Sequence, residues 1–293
     1  MNLIKRIFSL FIGGYKTDNH IKIFKNTLFW IRNDHYLREG VNSSIKNQVL
    51  IKETDYIIKE KKTRPQKQAQ VFVTKDSTIE AAMKYHQKKI CVLNFASAIN
   101  PGGGVLISKT PSGQEECLCR ATTLYSCLND CKMINEFYIQ NRTIGNNLHK
   151  DDIIFTPNVI VFKNDDNLLL KRDDWFTIDV VTCAAPNVGK YQKGEASTIM
   201  IDENTLKDIH KKRARRILDV AASHREDVII LGAFGCGAFN NPPALVAEVY
   251  RSIIPEYENL FETIEFAIYS RTNDSNYQTF NKIIINDNVA EEI

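Results

Sequence analysis

The stretch KICVLNFASAINPGGG, residues 89 to 104, joins a run of apolar residues to a loop that ends in three consecutive glycines. The run KICVLNF (89–95) is typical of a strand buried on both faces, as in a parallel sheet covered by helices. Glycine loses more conformational entropy on folding than any other residue, so three together indicate a backbone that must stay free of side chains. Ligands of such sheets bind beyond the carboxyl ends of the strands. The stretch therefore predicts an α/β fold with a ligand site at the glycine loop.

Apolar runs and helical patterns alternate along the rest of the chain. Further strands are predicted at 71–74, 176–186, 227–235 and 264–270. Helices are predicted at 76–87, 114–129, 205–223 and 242–254. This alternation favours a largely parallel sheet with helices on both faces.

The N-terminal part of the chain has a different pattern. Apolar residues recur at helical spacing from His20 to about Tyr36, and KEKKTRPQ (59–66) has the composition of an exposed loop. We therefore expect an N-terminal helical accessory region, residues 1–68, packed on a main domain of residues 69–293. The first 14 residues could begin a secretory signal, but the apolar run is short and no clear cleavage site follows, which favours a buried or fraying helix.

Composition and charge exclude some classes of function. Lys and Arg number 38 against 35 Asp and Glu, so the overall charge does not argue for nucleic-acid binding. No apolar run approaches the roughly 20 residues that cross a bilayer, so no membrane association is expected. Seven cysteines without framework spacing suit a reducing compartment, and we expect a cytoplasmic protein, with secreted and nuclear locations as alternatives.

A second glycine-rich loop, GAFGCG (232–237), follows another predicted strand. Backbone amides in such a turn form a concave surface that binds phosphate. Neither loop matches the common nucleotide-binding patterns. Two such loops in one domain nevertheless suggest that a diphosphate lies between them.

Two adjacent carboxylates, Glu115 and Glu116, begin the predicted helix at 114–129. A stabilising role at the positive end of the helix dipole explains one of them. A carboxyl group in a partly desolvated cleft beside another acid can also hold a proton near neutral pH and act on a glycosidic bond. An acid pair beside a phosphate site suggests a nucleotide sugar as ligand.

Five segments carry a resemblance to a known family. They are LNFASAINPGGGV, GQEECLCRATTLYSCL, CAAPN, LGAFGCGAFNNPP and AIYSR, in this order. Together they resemble the microbial type of poly(ADP-ribose) glycohydrolase, from about residue 20 to about residue 285. The resemblance implies a three-layer α/β/α macrodomain-like fold with a mixed sheet. It also implies a metal-independent glycosyl hydrolase without cofactor, which cleaves ribose-ribose O-glycosidic bonds of poly(ADP-ribose) and releases ADP-ribose.

The resemblance also implies the roles of individual residues. Glu116 would be the catalytic acid and base, and Glu115 would bind the ribose hydroxyls. The substrate-binding residues would be Asn100, Gly102, Gly103, Gly104, Val105, Gln114, Gly235, Cys236, Gly237, Ala238 and Phe239. Phe234 stands where many members have tryptophan, which we interpret as a difference in core packing. Lys109 to Ser112 lengthen the segment between the two elements of the site.

Other interpretations remain open from the residues alone. The chain could be a non-catalytic reader of ADP-ribose or of ADP-ribosylated proteins, or a hydrolase of mono-ADP-ribose. The intact glutamate pair favours an enzyme, which we expect to be a monomer.

Cysteine spacing and scattered histidines do not indicate a metal site, and Cys236 has no histidine nearby in sequence that would make it a nucleophile. A basic stripe on the helix at 205–223 is interpreted as a solvated face, with attraction of a polyanion as the alternative; it comprises Lys211, Lys212, Arg213, Arg215 and Arg216.

Overall fold

The computed structural model describes residues 20–57, 68–107, 113–189, 201–270 and 274–285, and their centre is a seven-stranded mixed sheet. The strands are β1 (Val49–Ile51), β2 (Gln70–Thr74), β3 (Ile90–Phe95), β4 (Ile153–Val161), β5 (Phe176–Cys183), β6 (Val228–Leu231) and β7 (Thr263–Ala267). Their order is β1-β4-β5-β3-β6-β7-β2. The five strands from β5 to β2 are parallel, whereas β4 is antiparallel to both of its neighbours.

Helices cover both faces of this sheet. The α-helices are α1 (His20–Asn33), α2 (His35–Asn47), α3 (Thr78–Lys84), α4 (Gln114–Ala121), α5 (Leu124–Leu128), α6 (Cys131–Met133), α7 (Ile139–Ile144), α8 (Glu203–Ser223), α9 (Pro243–Ile253) and α10 (Ser275–Phe280). Short π-helices lie at Ile134–Tyr138 and Asn281–Ile285, and 3₁₀ turns at Arg172–Asp174 and Ile254–Glu256. The predicted three-layer α/β/α architecture with a mixed sheet is confirmed.

The core is divided between the two faces by the alternation of side chains along each strand. On β3, Cys91 and Leu93 join the cluster that contains apolar residues of α8 and α9. Ile90 and Val92 join the cluster on the other face, with residues of α3, α4 and α5. All four side chains are buried, which explains why this strand has an almost continuous apolar sequence.

Several predicted boundaries are wrong, each for a local reason. The single helix predicted at 114–129 is two helices, because the backbone N–H of Thr123 leaves the helix and donates to the Ile160 carbonyl of β4 (3.0 Å). The helix predicted from His20 ends at Asn33. There the Asp34 side chain accepts from the Leu37 N–H (3.1 Å) and begins α2.

The N-terminal region is joined to the rest of the fold by strand pairing and by buried polar contacts. β1 extends the sheet at the edge of β4. The buried Lys163 ammonium donates to Asn26 Oδ1 (2.9 Å) and to Thr27 Oγ1 (2.8 Å) of α1. The loop predicted at 59–66 and the first 14 residues lie outside the described residues.

Three further observations concern the chemistry of the chain. Across the described residues, no helix is both long and apolar enough to cross a bilayer. All seven cysteines lie in the described part and are free thiols. Within the same ranges, no three His, Cys, Asp or Glu side chains are grouped as metal ligands would be.

Candidate active site

A cleft of about 670 Å³, partly open to solvent, lies beyond the carboxyl ends of β3, β5 and β6. One wall is formed by residues 95–97 and the first turn of α4. The other is formed by residues 233–239 after β6. This is the edge of the sheet at which the sequence predicts a ligand site.

The triple-glycine loop is a tight turn that passes close to the glutamate pair. Gly102 and Gly103 have φ values of +69° and +58°, in the left-handed region that favours glycine. A Cβ atom on Gly103 would lie 2.5 Å from Glu116 Oε1 and 3.1 Å from Glu115 Oε2. The backbone of this loop must therefore be free of a side chain so that the carboxyl groups can approach it.

Glu116 is partly exposed and lines the cleft. Its Oε1 accepts a hydrogen bond of 2.7 Å from the backbone N–H of Gly104. Its Oε2 lies close to Gly113, where a Cβ atom would come within 3.1 Å. A glycine on each side thus leaves room for this carboxyl group at the edge of the cleft.

Glu115 is buried and is held by groups from β3 and the loop after it. Oε2 accepts from the Ser97 N–H (2.8 Å), and Oε1 accepts from Asn94 Nδ2 (3.2 Å). Burial raises the pKa of Glu115 to about 8, and the neighbouring Glu116 carboxyl acts in the same direction. Both glutamates therefore accept hydrogen bonds from segments outside α4, which a role in stabilising the helix alone would not require.

Gln114 fixes the start of α4 to the end of β3. Its Oε1 accepts from the Phe95 N–H (2.9 Å), and its Nε2 donates to the Leu93 carbonyl (2.7 Å) and to Thr78 Oγ1 (3.1 Å). Because both the oxygen and the nitrogen of this amide are hydrogen-bonded to β3, the strand sets the position of the two glutamates that follow Gln114.

The second loop is also built around a strained glycine. Gly235 has φ +77°, and a Cβ there would lie 2.6 Å from both Ala185 Cβ and Asn241 Nδ2. Asn241 is buried and donates to the Gly235 carbonyl (2.9 Å) and the Pro186 carbonyl (2.7 Å), while its Oδ1 lies 2.9 Å from His210 Nε2. This buried amide holds the loop against the end of β5.

The two aromatic residues of this loop both line the cleft but differ in burial. Phe234 is buried, with its ring centroid 5.9 Å from that of Phe95 and 6.2 Å from that of His210, in agreement with a packing role. Phe239 lines the cleft, and its ring centroid lies 5.9 Å from that of His149. Burial raises the pKa of Cys236 to about 12, so this thiol is not an activated nucleophile at neutral pH.

The predicted site residues fall into two groups. Those that line the cleft are Gly103, Gln114, Glu115, Glu116, Gly235, Gly237, Ala238 and Phe239. Those that lie in the same two loops without lining it are Asn100, Gly102, Gly104, Val105 and Cys236. Asn100 is exposed and Val105 is packed in the core beside α4. The inserted residues Lys109 to Ser112 are outside the described part of the chain.

Asn94, Ser97 and Asn241 support the site but are absent from the predicted set. Ser97 acts through its backbone N–H, which leaves no signal in the sequence. Asn94 does leave one, since it is the only polar residue between Ile90 and Phe95.

The interpretation of the basic stripe on α8 as a solvated face is wrong for one of its members. Arg213 is buried and donates from Nε to Asp151 Oδ1 (2.7 Å). Arg215 pairs with Glu256 (2.6 Å), and Arg216 donates to the backbone carbonyl of Asp151 (3.1 Å). Arg213 and Arg216 therefore join α8 to the segment around Asp151.

Comparisons with known proteins agree with this geometry. A family model described as microbial-type PARG, catalytic domain, matches residues 19–164. Poly(ADP-ribose) glycohydrolase from Deinococcus radiodurans, solved in complex with ADP-ribose, is 30% identical with a TM-score of 0.74, covering 84% of this chain and 98% of that one. The enzyme from Thermomonospora curvata, bound to the inhibitor ADP-HPD, is 25% identical with a TM-score of 0.74, covering 90% of this chain and 98% of that one. No curated protein sequence is significantly similar to the chain.

Proposed function

The chain belongs to the microbial-type poly(ADP-ribose) glycohydrolase family, and we propose that Glu116 is the general acid and base of this glycosyl hydrolase. The observation that carries the proposal is the position of the Glu116 carboxyl. It lies in the cleft between the two glycine loops, with Oε1 fixed by the Gly104 N–H. The substrate is poly(ADP-ribose) and the product is ADP-ribose.

The diphosphate of an ADP-ribose unit would lie between residues 102–105 and residues 235–239. The cleft is lined by Gly103 of the first loop and by Gly235, Gly237 and Ala238 of the second. Backbone N–H groups of the second loop, together with the N-terminus of α4, favour an anion there. The related Deinococcus enzyme was solved with ADP-ribose, which supports a ligand of this size and charge. Phe239 would pack against the terminal ribose.

In the first step, the protonated Glu116 carboxyl donates its proton to the 2′ oxygen of the departing ribose. The bond from that oxygen to the anomeric carbon breaks, its electron pair stays on the oxygen, and the remaining ribose becomes an oxocarbenium ion. In the second step, the Glu116 carboxylate takes a proton from water, whose oxygen bonds to the anomeric carbon. One acid serves both steps, whereas most glycosidases use two separated carboxyl groups.

Glu115 would bind the ribose hydroxyls. Its raised pKa keeps a proton on the carboxyl near neutral pH, so it can donate as well as accept a hydrogen bond. A neutral Glu115 also adds no negative charge beside the diphosphate, or beside the Glu116 carboxylate that the first step leaves.

We propose further that residues 1–68 are an accessory region of the catalytic domain formed by residues 69–293. The contacts of Lys163 with α1 and the pairing of β1 with β4 support this arrangement.

We also propose that the protein is a monomer that acts on free and protein-linked polymer in a reducing compartment such as the cytoplasm. Its seven free thiols support the choice of compartment. Light scattering of the purified chain tests the oligomeric state.

The function is tested by incubation with poly(ADP-ribose) and with mono-ADP-ribosylated protein. Wild type, Glu116→Gln and the control Glu39→Gln are compared, since Glu39 is exposed on α2, outside the cleft. Wild type and control should release ADP-ribose from the polymer, while Glu116→Gln should bind ADP-ribose without turnover. Binding without release from either substrate by wild type would indicate a reader. Turnover by Glu116→Gln would show that another group is the acid.

A further inference from the structure

Asn94 is a buried amide in a strand whose neighbouring residues are apolar. Its side chain is fully buried, and it faces the same layer of the fold as Val92, two residues before it. In the register of the sheet it stands opposite Thr182 of β5, which is also fully buried. Two polar side chains therefore adjoin each other in the centre of the sheet, directly below the first turn of α4.

The Asn94 amide is only partly satisfied by the groups around it. Nδ2 donates to Glu115 Oε1 (3.2 Å) and to Thr182 Oγ1 (3.3 Å). Oδ1 is buried and has no hydrogen-bond partner among the residues that the structure describes. A buried acceptor without a partner is destabilising, and an apolar side chain such as that of Val92 would avoid this cost.

The end of β3 contacts α4 at three successive residues, since the Leu93 carbonyl accepts from the Gln114 amide. The Phe95 backbone N–H donates to Gln114, and the Asn94 side chain donates to Glu115. The other oxygen of the Glu115 carboxyl is held by the Ser97 N–H. With both oxygens fixed, the plane of this carboxyl is set, and the next residue along α4 is Glu116.

We propose that Asn94 is a positioning residue of the reaction, which holds the Glu115 carboxyl toward the ribose while Thr182 orients the Asn94 amide. The inference rests on the proposed roles of Glu115 and Glu116. Asn94 acts through Glu115 and does not line the cleft.

The first experiment is a double-mutant cycle read out by ADP-ribose affinity in calorimetry. Asn94→Leu should weaken binding on the order of tenfold, since it removes a hydrogen bond to a buried carboxyl. In a Glu115→Ala background the same substitution should change affinity by less than about twofold, because no carboxyl is left to position. Asn141→Leu is the control, as Asn141 is also a buried asparagine, with its amide bonded to the Phe137 carbonyl (3.0 Å). It should leave affinity unchanged.

The second experiment uses the isosteric Asn94→Asp and the pH dependence of kcat/KM. Two adjacent buried carboxyl groups repel each other when both are ionised, so at low pH the introduced Asp and Glu115 would share one proton and keep a hydrogen bond. As the pH rises and that proton is lost, repulsion should displace Glu115. The activity of Asn94→Asp relative to wild type should therefore fall with rising pH.

The other titratable groups that face Glu115 are Glu116, Cys119 and Tyr138. Burial raises the pKa values of Cys119 and Tyr138 well above neutral, so both stay neutral in this pH range. Circular dichroism and the melting temperature establish that each variant is folded. If Asn94→Leu does not fold, the pH dependence of kcat/KM for Asn94→Asp tests the proposal by itself.

The proposal is overturned if Asn94→Leu weakens affinity equally with and without Glu115, or if the Asn94→Asp profile parallels that of wild type. Failure of the proposed function has a different signature, because wild type would then release no ADP-ribose from the polymer. The affinity cycle does not require turnover and tests Asn94 in either case.

Discussion

Substitution of Gly103 by alanine tests whether the site requires the close approach of loop and carboxyl. The new Cβ would lie 2.5 Å from Glu116 Oε1, so that oxygen must retreat by about 1 Å to reach an ordinary contact distance. This movement would break the 2.7 Å hydrogen bond from the Gly104 N–H. Because a misplacement of about 1 Å can cost a factor of about 100 in rate, we expect kcat/KM to fall by at least that factor.

A matched control separates this effect from backbone strain. Gly145, at the end of α7, has φ +62°, close to the +58° of Gly103, but a Cβ there would meet nothing within 4 Å. Alanine at either position should lower the free energy of unfolding by about 1–2 kcal/mol, measured by urea denaturation. Only Gly103→Ala should lose activity on poly(ADP-ribose). If both variants keep wild-type kcat/KM, the site does not depend on this approach and the reasoning is refuted.

Three other predictions concern buried titratable groups. The pKa of Glu115 rises from 4.5 to about 8 on burial, so the folded state binds the proton more tightly. The free energy of unfolding of wild type should therefore fall by up to about 5 kcal/mol relative to that of Glu115→Gln as the pH rises from 4.5 to 8. The same pH dependence for both proteins, measured by urea denaturation, would contradict this. Burial lowers the pKa of Lys163 from 10.5 to about 8, so the folded state binds this proton less tightly than the unfolded state. The free energy of unfolding of wild type should therefore rise by about 3 kcal/mol between pH 8 and 10.5, relative to that of Lys163→Met. The Cys236 thiol is neutral at working pH, and Cys236→Ser should keep kcat/KM within about threefold in the polymer assay, whereas its complete loss would implicate the thiol in the reaction.

The parallel part of the fold could be predicted because its strands are apolar on both faces. β3 and β6 are buried by two layers of helices, so their sequences are almost continuous apolar runs, and five of the eight residues of β5 are apolar. β4 was not predicted, because Pro157 and Asn158 interrupt its pattern. The structure accommodates them in an irregularity between Thr156 and Val159, where Asn158 has φ +56° and donates its N–H to Asp179 Oδ1 (2.8 Å).

The candidate site was predictable where its residues are adjacent in sequence. The glycine turns and the glutamate pair are short patterns in the sequence. Their residue types follow from one requirement, which is a backbone without side chains next to two carboxyl groups. Asn94 and Thr182 are 88 residues apart and adjoin only through the register of β3 and β5. Contacts of this kind depend on strand order, which local patterns do not encode.

The central claim is that the two glycine loops hold a diphosphate so that Glu116 reaches the glycosidic oxygen. A crystal structure of Glu116→Gln with bound ADP-ribose tests it most directly. The diphosphate should lie between residues 102–105 and 235–239, with the anomeric hydroxyl of the terminal ribose within about 3.2 Å of the side chain at position 116. A diphosphate bound elsewhere, or a terminal ribose directed away from that side chain, would contradict the account.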